Sequence, residues 1–183
     1  MNILSIKDVC YNVNDLKIIN NVSIDIKKGD VISIVGQSGS GKSTLLKLCS
    51  DLIPPSSGSI YFDNKCYTSY NPIDLRKKIS YCVQIPQLFG KTIYDNLEFP
   101  FKIRNEKVDN SKVNLFLNKF GLDEATASLD KENAKIIEKY IKELNQYGVT
   151  VLWITHDEEQ SKSIFNKRVF ISEGKISKVE KII

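Results

Sequence analysis

The apolar positions of this chain change period several times, and each change marks an element. Ile3 to Tyr11 alternates loosely between apolar and polar residues, and Val22-Ser-Ile-Asp-Ile26 alternates cleanly. Both patterns predict strands with one buried face. Asn12-Val-Asn-Asp15 between them and Lys28-Gly29-Asp30 after them predict turns. Val31-Ile-Ser-Ile-Val35 is a continuous, mostly β-branched run, the pattern of a strand buried on both faces of a parallel sheet. Thr44 to Ser50 then opens a helix, Pro54-Pro-Ser-Ser-Gly58 breaks the pattern, and Ser59 to Phe62 returns as a short strand. Pro72 begins a brief helix through Lys78, and Ile79 to Val83 predicts a strand that ends on Gln84.

In the second half, Glu106 to Phe120 carries Val108, Leu115, Leu117 and Phe120 at helical spacing and is closed by Gly121. Lys131 to Tyr147 sets Ala134, Ile137, Ile141 and Leu144 along one helical face, and Gly148 stops it. Val149-Thr-Val-Leu-Trp-Ile-Thr155 predicts another buried strand, delivering His156 and Asp157, after which Asp157 to Ser163 starts a helix. Arg168 to Ile171 and Lys175 to Val179 predict a hairpin around Glu173-Gly174.

Composition narrows the function classes. A chain of 183 residues suits one domain, or one domain and a small appendage, with ample length for a core. The net charge of +4 is mild and the lysines are scattered, so composition does not support nucleic-acid binding. Cys10, Cys49, Cys66 and Cys82 form no C-x-x-C pair and have no neighbouring His, which predicts small buried hydrophobes in a reducing compartment. No apolar run reaches membrane-spanning length, and the N-terminus lacks a signal peptide's layout. These features predict a cytosolic protein able to dock on a membrane complex.

The chemistry is concentrated after the Val31 to Val35 run. Gly36-Gln37-Ser38-Gly39-Ser40-Gly41-Lys42-Ser43 fits the phosphate-loop pattern G-x-x-x-x-G-K-[ST], and Thr44 continues into the helix. Glycines let backbone N–H groups close around an anion, and the helix N-terminus adds its partial positive charge. Lys42 would reach the β- and γ-phosphates, and the Ser43 hydroxyl would take a Mg²⁺ position. A flexible Gly/Ser loop is the plain alternative, and the strand before and helix after weigh against it.

The order of pieces around this loop resembles the nucleotide-binding subunit of an ATP-binding cassette (ABC) transporter. Ile18-Ile-Asn-Asn-Val-Ser-Ile-Asp-Ile-Lys-Lys-Gly29 is similar to the family's lead-in to the phosphate loop. Gln84, followed by Ile-Pro-Gln-Leu-Phe89, resembles the Q-loop glutamine that meets Mg²⁺ and the attacking water. The following Phe-Gly-x-Thr-Ile-x-x-Asn-Leu segment resembles the part that contacts membrane subunits. Leu122-Asp-Glu-Ala-Thr-Ala-Ser-Leu-Asp130 is similar to the end of Walker B and the D-loop. The resemblance implies that Asp123 holds Mg²⁺, that Glu124 is the general base, and that Ser128 to Asp130 signals across a dimer. Asp130 also suits an N-cap for the helix after it, and both roles are compatible. His156, the only histidine, resembles the switch histidine that contacts the γ-phosphate.

The implied fold is α/β: a P-loop NTPase with a mostly parallel sheet, helices on both faces, and an N-terminal antiparallel β portion. The implied function is ATP binding and hydrolysis driving transport. Cofactors are ATP and Mg²⁺; partners are transmembrane permease subunits and a second cassette, as a homodimer or heterodimer, on the cytoplasmic face of the membrane. The compact layout resembles small bacterial exporter-type cassettes for metal ions, although the substrate itself is not readable.

Two departures stand against the family pattern. The aromatic that stacks on adenine aligns with Val13, with Tyr11 two residues earlier on the same strand face. The larger departure lies at Phe120-Gly-Leu-Asp-Glu124, where the signature loop, its helix and the apolar Walker B strand are missing, on the order of 40 residues at ordinary element lengths. The missing strand is expected beside the phosphate-loop strand, where its loss would orphan backbone groups. Gly121-Leu-Asp-Glu could belong to the preceding helix, to the Walker B acids, or to both. A segment omitted from the sequence, a real deletion, and a degenerate relative are the competing accounts. The sequence therefore predicts one domain over residues 1–183, shortened near 121–123. A non-catalytic nucleotide-binding module is the main alternative; a small-molecule kinase and a soluble ABC protein of translation or repair fit less of the pattern.

Overall fold

The structure, a computed structural model, describes residues 1–82, 92–119, 131–155 and 164–182. The chain forms two compact units: residues 1–81 with 139–183, and residues 82–138.

The first unit holds two four-stranded sheets. In one, β1 (Asn2–Val13), β2 (Leu16–Lys27), β4 (Ser57–Phe62) and the short β5 (Lys65–Cys66) pair antiparallel in the order β2-β1-β4-β5. In the other, β3 (Val31–Val35) lies between β6 (Val151–Ile154) and β7 (Lys167–Ser172), parallel to both, and β8 (Lys175–Lys181) adds antiparallel to β7. The antiparallel N-terminal portion and the mostly parallel sheet are as the sequence predicts.

The loose alternation of the first strand has a local cause. Leu4 and Ile6 are buried, but the next buried residue is Val9, because the pairing with β2 shifts register between Ile6 and Val9. Asp8 sits there at φ 51°, its N–H donating to Ser23 Oγ and its carboxylate accepting from the same hydroxyl. This β-bulge re-phases the strand so that its second half still faces the core. The core is shared by both sheets and the phosphate-loop helix. Ile6, Ile19 and Ile26 meet Ile32, Ile34, Leu45, Leu48 and Val169.

Helix α1 (Lys42–Cys49) follows β3, and α2 (Pro72–Lys78) starts on an Asn71 cap with Pro72 in its first turn. In the second unit, α3 (Ile93–Ile103) begins with a capping box in which Thr92 and Asp95 each accept the other's backbone N–H. Helix α4 (Asn110–Lys119) follows it, and α5 (Lys131–Gln146) runs on into the first unit. There Ile141 packs with Val31 and Phe165, and Asn145 Nδ2 donates to Gly29 O at 2.7 Å.

Several expectations change. Residues 79–82 are not a strand, and Val83 and Gln84 lie outside the described residues. The helix expected from Glu106 begins at Asn110; Val113 is buried and Leu117 half-buried on one face, while Leu115 is 64% exposed. The strand near Trp153 is shorter than predicted. Of the cysteines only Cys49 is buried; Cys10 and Cys66 are half-buried and Cys82 is exposed. Both positions beside β3 are filled, by β6 and β7, so a further strand cannot lie next to the phosphate-loop strand.

Candidate nucleotide site at the phosphate loop

The loop from Gly36 to Gly41 crosses from the C-terminal end of β3 to the start of α1, the end of a parallel sheet where α/β proteins bind ligands. Its path is held from below. A Cβ at Gly36 would lie 2.2 Å from Ile171 O at the end of β7 and 2.7 Å from Ser40 Oγ, so only glycine fits. Gly41, the N-cap residue of α1, has φ 101°, and a Cβ there would come within 2.9 Å of Ile18 O and the Ile19 side chain.

Lys42 is 7% exposed despite its charge. Its ammonium group donates to Gly36 O at 2.8 Å and Gln37 O at 2.6 Å, which fixes it over the loop with a third N–H still to give. No acidic residue lies in the first turn of α1, and no side chain caps it. The first intrahelical bond is Leu45 N–H to Gly41 O, so the N–H groups of Lys42, Ser43 and Thr44 have no helical acceptor. Ser40 Oγ is buried and has no hydrogen-bond partner among the described residues. One fixed ammonium and a helix N-terminus whose first-turn N–H groups have no helical acceptor fit a polyphosphate.

Gln37, Ser38 and Gly39 are exposed at the tip of the loop, and Ser43 is exposed at the start of α1 where its hydroxyl is open to a metal ion. Of the expected base-stacking residues, Tyr11 is half-buried against the core, whereas Val13 is 47% exposed on the hairpin between β1 and β2. Val13 is therefore the more accessible of the two. Gln84, Asp123, Glu124, Ser128 to Asp130 and His156 lie outside the described residues. Among the described residues no cluster of acidic, His or Cys side chains forms a metal site, so Ser43 is the one expected Mg²⁺ ligand that the structure places.

The turn between β7 and β8 supports the loop. Gly174 N–H donates to Ser40 O at 3.1 Å, and Gly174 O accepts from Asn20 N–H at 2.8 Å, tying the loop to β2. The sequence marks Glu173-Gly174 as a turn, but nothing in it indicates that the turn reaches the loop.

The comparisons with known proteins agree with this geometry. The ABC transporter family model matches residues 19–149, which is most of the chain. The chain belongs to the ABC transporter ATP-binding family. It is an ATP-binding subunit of that type, a class of ATPase coupled to transport. It is 34% identical over 197 aligned positions to the probable iron export ATP-binding protein FetA of Escherichia coli (strain K12), covering 86% of each chain. It is 33% identical to the methionine import ATP-binding protein MetN of Clostridium tetani (strain Massachusetts / E88), covering 95% of this chain and 68% of that one. The dimeric bacterial ABC transporter cassette MJ0796 shares the fold, with a TM-score of 0.83 at 24% identity over 98% of this chain and 99% of that one. A second structure of that cassette is a dimer bound to ADP and Pi. Among the described residues no helix is long and apolar enough to cross a membrane.

Proposed function

We propose that this chain binds MgATP on the loop from Gly36 to Thr44 and hydrolyses it to drive export of a metal ion through transmembrane permease subunits. The observation that carries the reading is the ammonium of Lys42, fixed on Gly36 O and Gln37 O beside the first-turn N–H groups of α1 that have no helical acceptor. Lys42 and the loop hold the β- and γ-phosphates and neutralise charge that develops in phosphoryl transfer. Ser43, Gln84 and Asp123 would hold Mg²⁺, which would supply neutralising positive charge during phosphoryl transfer. Glu124 takes the proton of the attacking water, and Gln84 and His156 read the γ-phosphate. Val13, with Tyr11 behind it, borders the base. The iron export named for FetA supports an exported metal ion as cargo, and the dimeric cassettes support a pair of cassettes on the cytoplasmic face of the membrane.

The chain acts as one domain shortened near residues 121–123. The FetA alignment supports this: 86% of 183 residues is about 157, against 197 aligned positions, so about 40 positions face no residue of this chain. The same deficit supports a second reading, in which the chain binds MgATP without turning it over. Titration with a fluorescent ATP analogue, alongside phosphate release, separates the two. Binding lost in Lys42→Ala, with phosphate release in the parent chain, supports the ATPase; binding without release supports the second reading. Absence of binding in the parent chain overturns both.

A further inference from the structure

The hairpin of β1 and β2 carries apolar side chains past the end of the core. Tyr11 and Ile19 pair across it and meet the core, where Ile19 is fully buried. The register shift that follows Tyr11 is absorbed on β2 at Ile18, so β1 keeps its alternation. Val13 comes two residues after Tyr11 and pairs with Leu16, which places both on the face that Tyr11 and Ile19 use. There the core has ended: Val13 is 47% exposed and Leu16 is 66% exposed. The intervening pair, Asn12 and Lys17, takes the opposite face. The tip of the hairpin is therefore an open aliphatic ledge.

The ledge lies beside the phosphate loop. A Cβ at Gly41 would come within 2.9 Å of Ile18 O and of the Ile19 side chain, so the loop abuts β2 at these two residues. Gly174 braces the same contact, donating to Ser40 O and accepting from Asn20 N–H. Leu16 is two residues from Ile18 toward the tip, roughly 7 Å at the rise of a strand. The α-phosphate and ribose of a nucleotide held by the loop span such a gap, which sets the base against Leu16 and Val13.

We propose that Val13 and Leu16 together form the platform for the base, and that the site therefore takes purine nucleoside triphosphates as a class, MgGTP as readily as MgATP. The proposal rests on the reading of the phosphate loop as a nucleotide site and adds which bases that site admits. Adenine and guanine present similar faces and differ at their edges, in the hydrogen-bonding groups they carry. An aliphatic side chain touches a face through dispersion and burial, and it has no donor or acceptor for an edge. Strong discrimination needs a polar group that the wrong ligand leaves unpaired, whereas apolar surfaces separate similar ligands only weakly. Among the described residues of the hairpin, the polar side chains nearest the ledge lie on the opposite strand face, at Asn12 and Lys17, or in the turn, at Asn14 and Asp15. The ledge holds the base without reading it.

The test is displacement of a fluorescent ATP analogue from the full chain by MgATP, MgGTP and magnesium tripolyphosphate. The expected result is ATP and GTP affinities within about threefold of each other, both tighter than that of tripolyphosphate. Leu16→Ala should weaken both nucleotides by about threefold to tenfold and leave tripolyphosphate unchanged, since only the base loses contact area. Val13→Tyr should tighten both by about fivefold or more, because ring stacking serves every purine. Both positions lie outside the packed core, so neither change endangers the fold. A preference for ATP over GTP above about tenfold overturns the proposal and leaves the nucleotide site standing. The proposal also falls where Leu16→Ala weakens tripolyphosphate as much as the nucleotides, or weakens none of the three, and where Val13→Tyr tightens neither nucleotide. Failure of the analogue itself to bind overturns the nucleotide reading, and the base platform with it.

Discussion

Replacing Gly36 with alanine tests whether the phosphate loop is held as the structure describes. The added Cβ would lie 2.2 Å from Ile171 O, and separations under 3.0 Å are essentially never seen. Both sides of this contact are backbone, so no side-chain rotation relieves it. Ile171 sits in β7, paired with Ile176 of β8 and flanked by the bonds to β3, so the strand resists movement. The loop must yield by roughly 0.8 Å or more, the shortfall between those two distances. That shift moves Gly36 O away from Lys42 Nζ, now 2.8 Å apart, and displaces the N–H groups that face the phosphates. Overpacking of this size costs about 1–3 kcal/mol of stability. Loss of alignment in one or two charge-assisted hydrogen bonds lowers ATP affinity by about 10- to 100-fold. Isothermal titration with MgATP, paired with thermal melting, reads both effects. Ser38→Ala is the control, because Ser38 is exposed at the loop tip and offers its backbone; affinity should stay within about twofold. Wild-type affinity in Gly36→Ala, or an equal loss in Ser38→Ala, would refute the reasoning.

Three further outcomes are expected. Asp30 is buried at the start of β3, pairs with Lys167, and accepts the Lys27 N–H at 2.7 Å; Asp30→Ala should cost about 3 kcal/mol by chemical denaturation. ATP affinity should be unchanged, because the pair lies at the opposite end of β3 from the loop. Burial pushes the Cys49 thiol from 9.0 up to about 12, so folding favours its neutral form. Stability from this group is complete below pH 9 and is lost as pH rises toward 12, at up to about 1.4 kcal/mol per pH unit. Denaturation of Cys49→Ala across that range should show a shallower alkaline decline, and an identical slope would refute the assignment. Glu124→Gln should keep MgATP binding while phosphate release falls by at least about 100-fold; unchanged release in a single-turnover assay would remove Glu124 from the general-base role.

The phosphate loop was legible in the sequence because its chemistry is local. Six consecutive residues from Gly36 to Gly41 set the backbone path, Lys42 and Ser43 follow at fixed spacing, and the apolar run before them can only be a buried strand. The parallel core strands and the final hairpin were legible for a similar reason, since continuous apolar runs and an acidic-residue–glycine turn act within a few residues. Helix α4 was legible only in part: Val113 is buried and Leu117, one turn on, is half-buried, but Leu115 is 64% exposed, and spacing alone cannot choose among adjacent apolar stripes.

The tertiary structure decided what depends on residues far apart in the chain. Ile171 O forbids a side chain at Gly36, Gly174 ties the loop to β2, and Asp30 finds Lys167, contacts separated by more than 100 residues. Strand order is of the same kind. A run such as Val149 to Thr155 states that it is a strand, because its own side chains enforce the period. Which strand lies beside it is set by hydrogen bonds to a neighbour, and those are written in no local pattern. The sequence therefore determined the chemistry of the loop and the identity of most elements, while the placement of β6 beside β3 belongs to the folded chain alone.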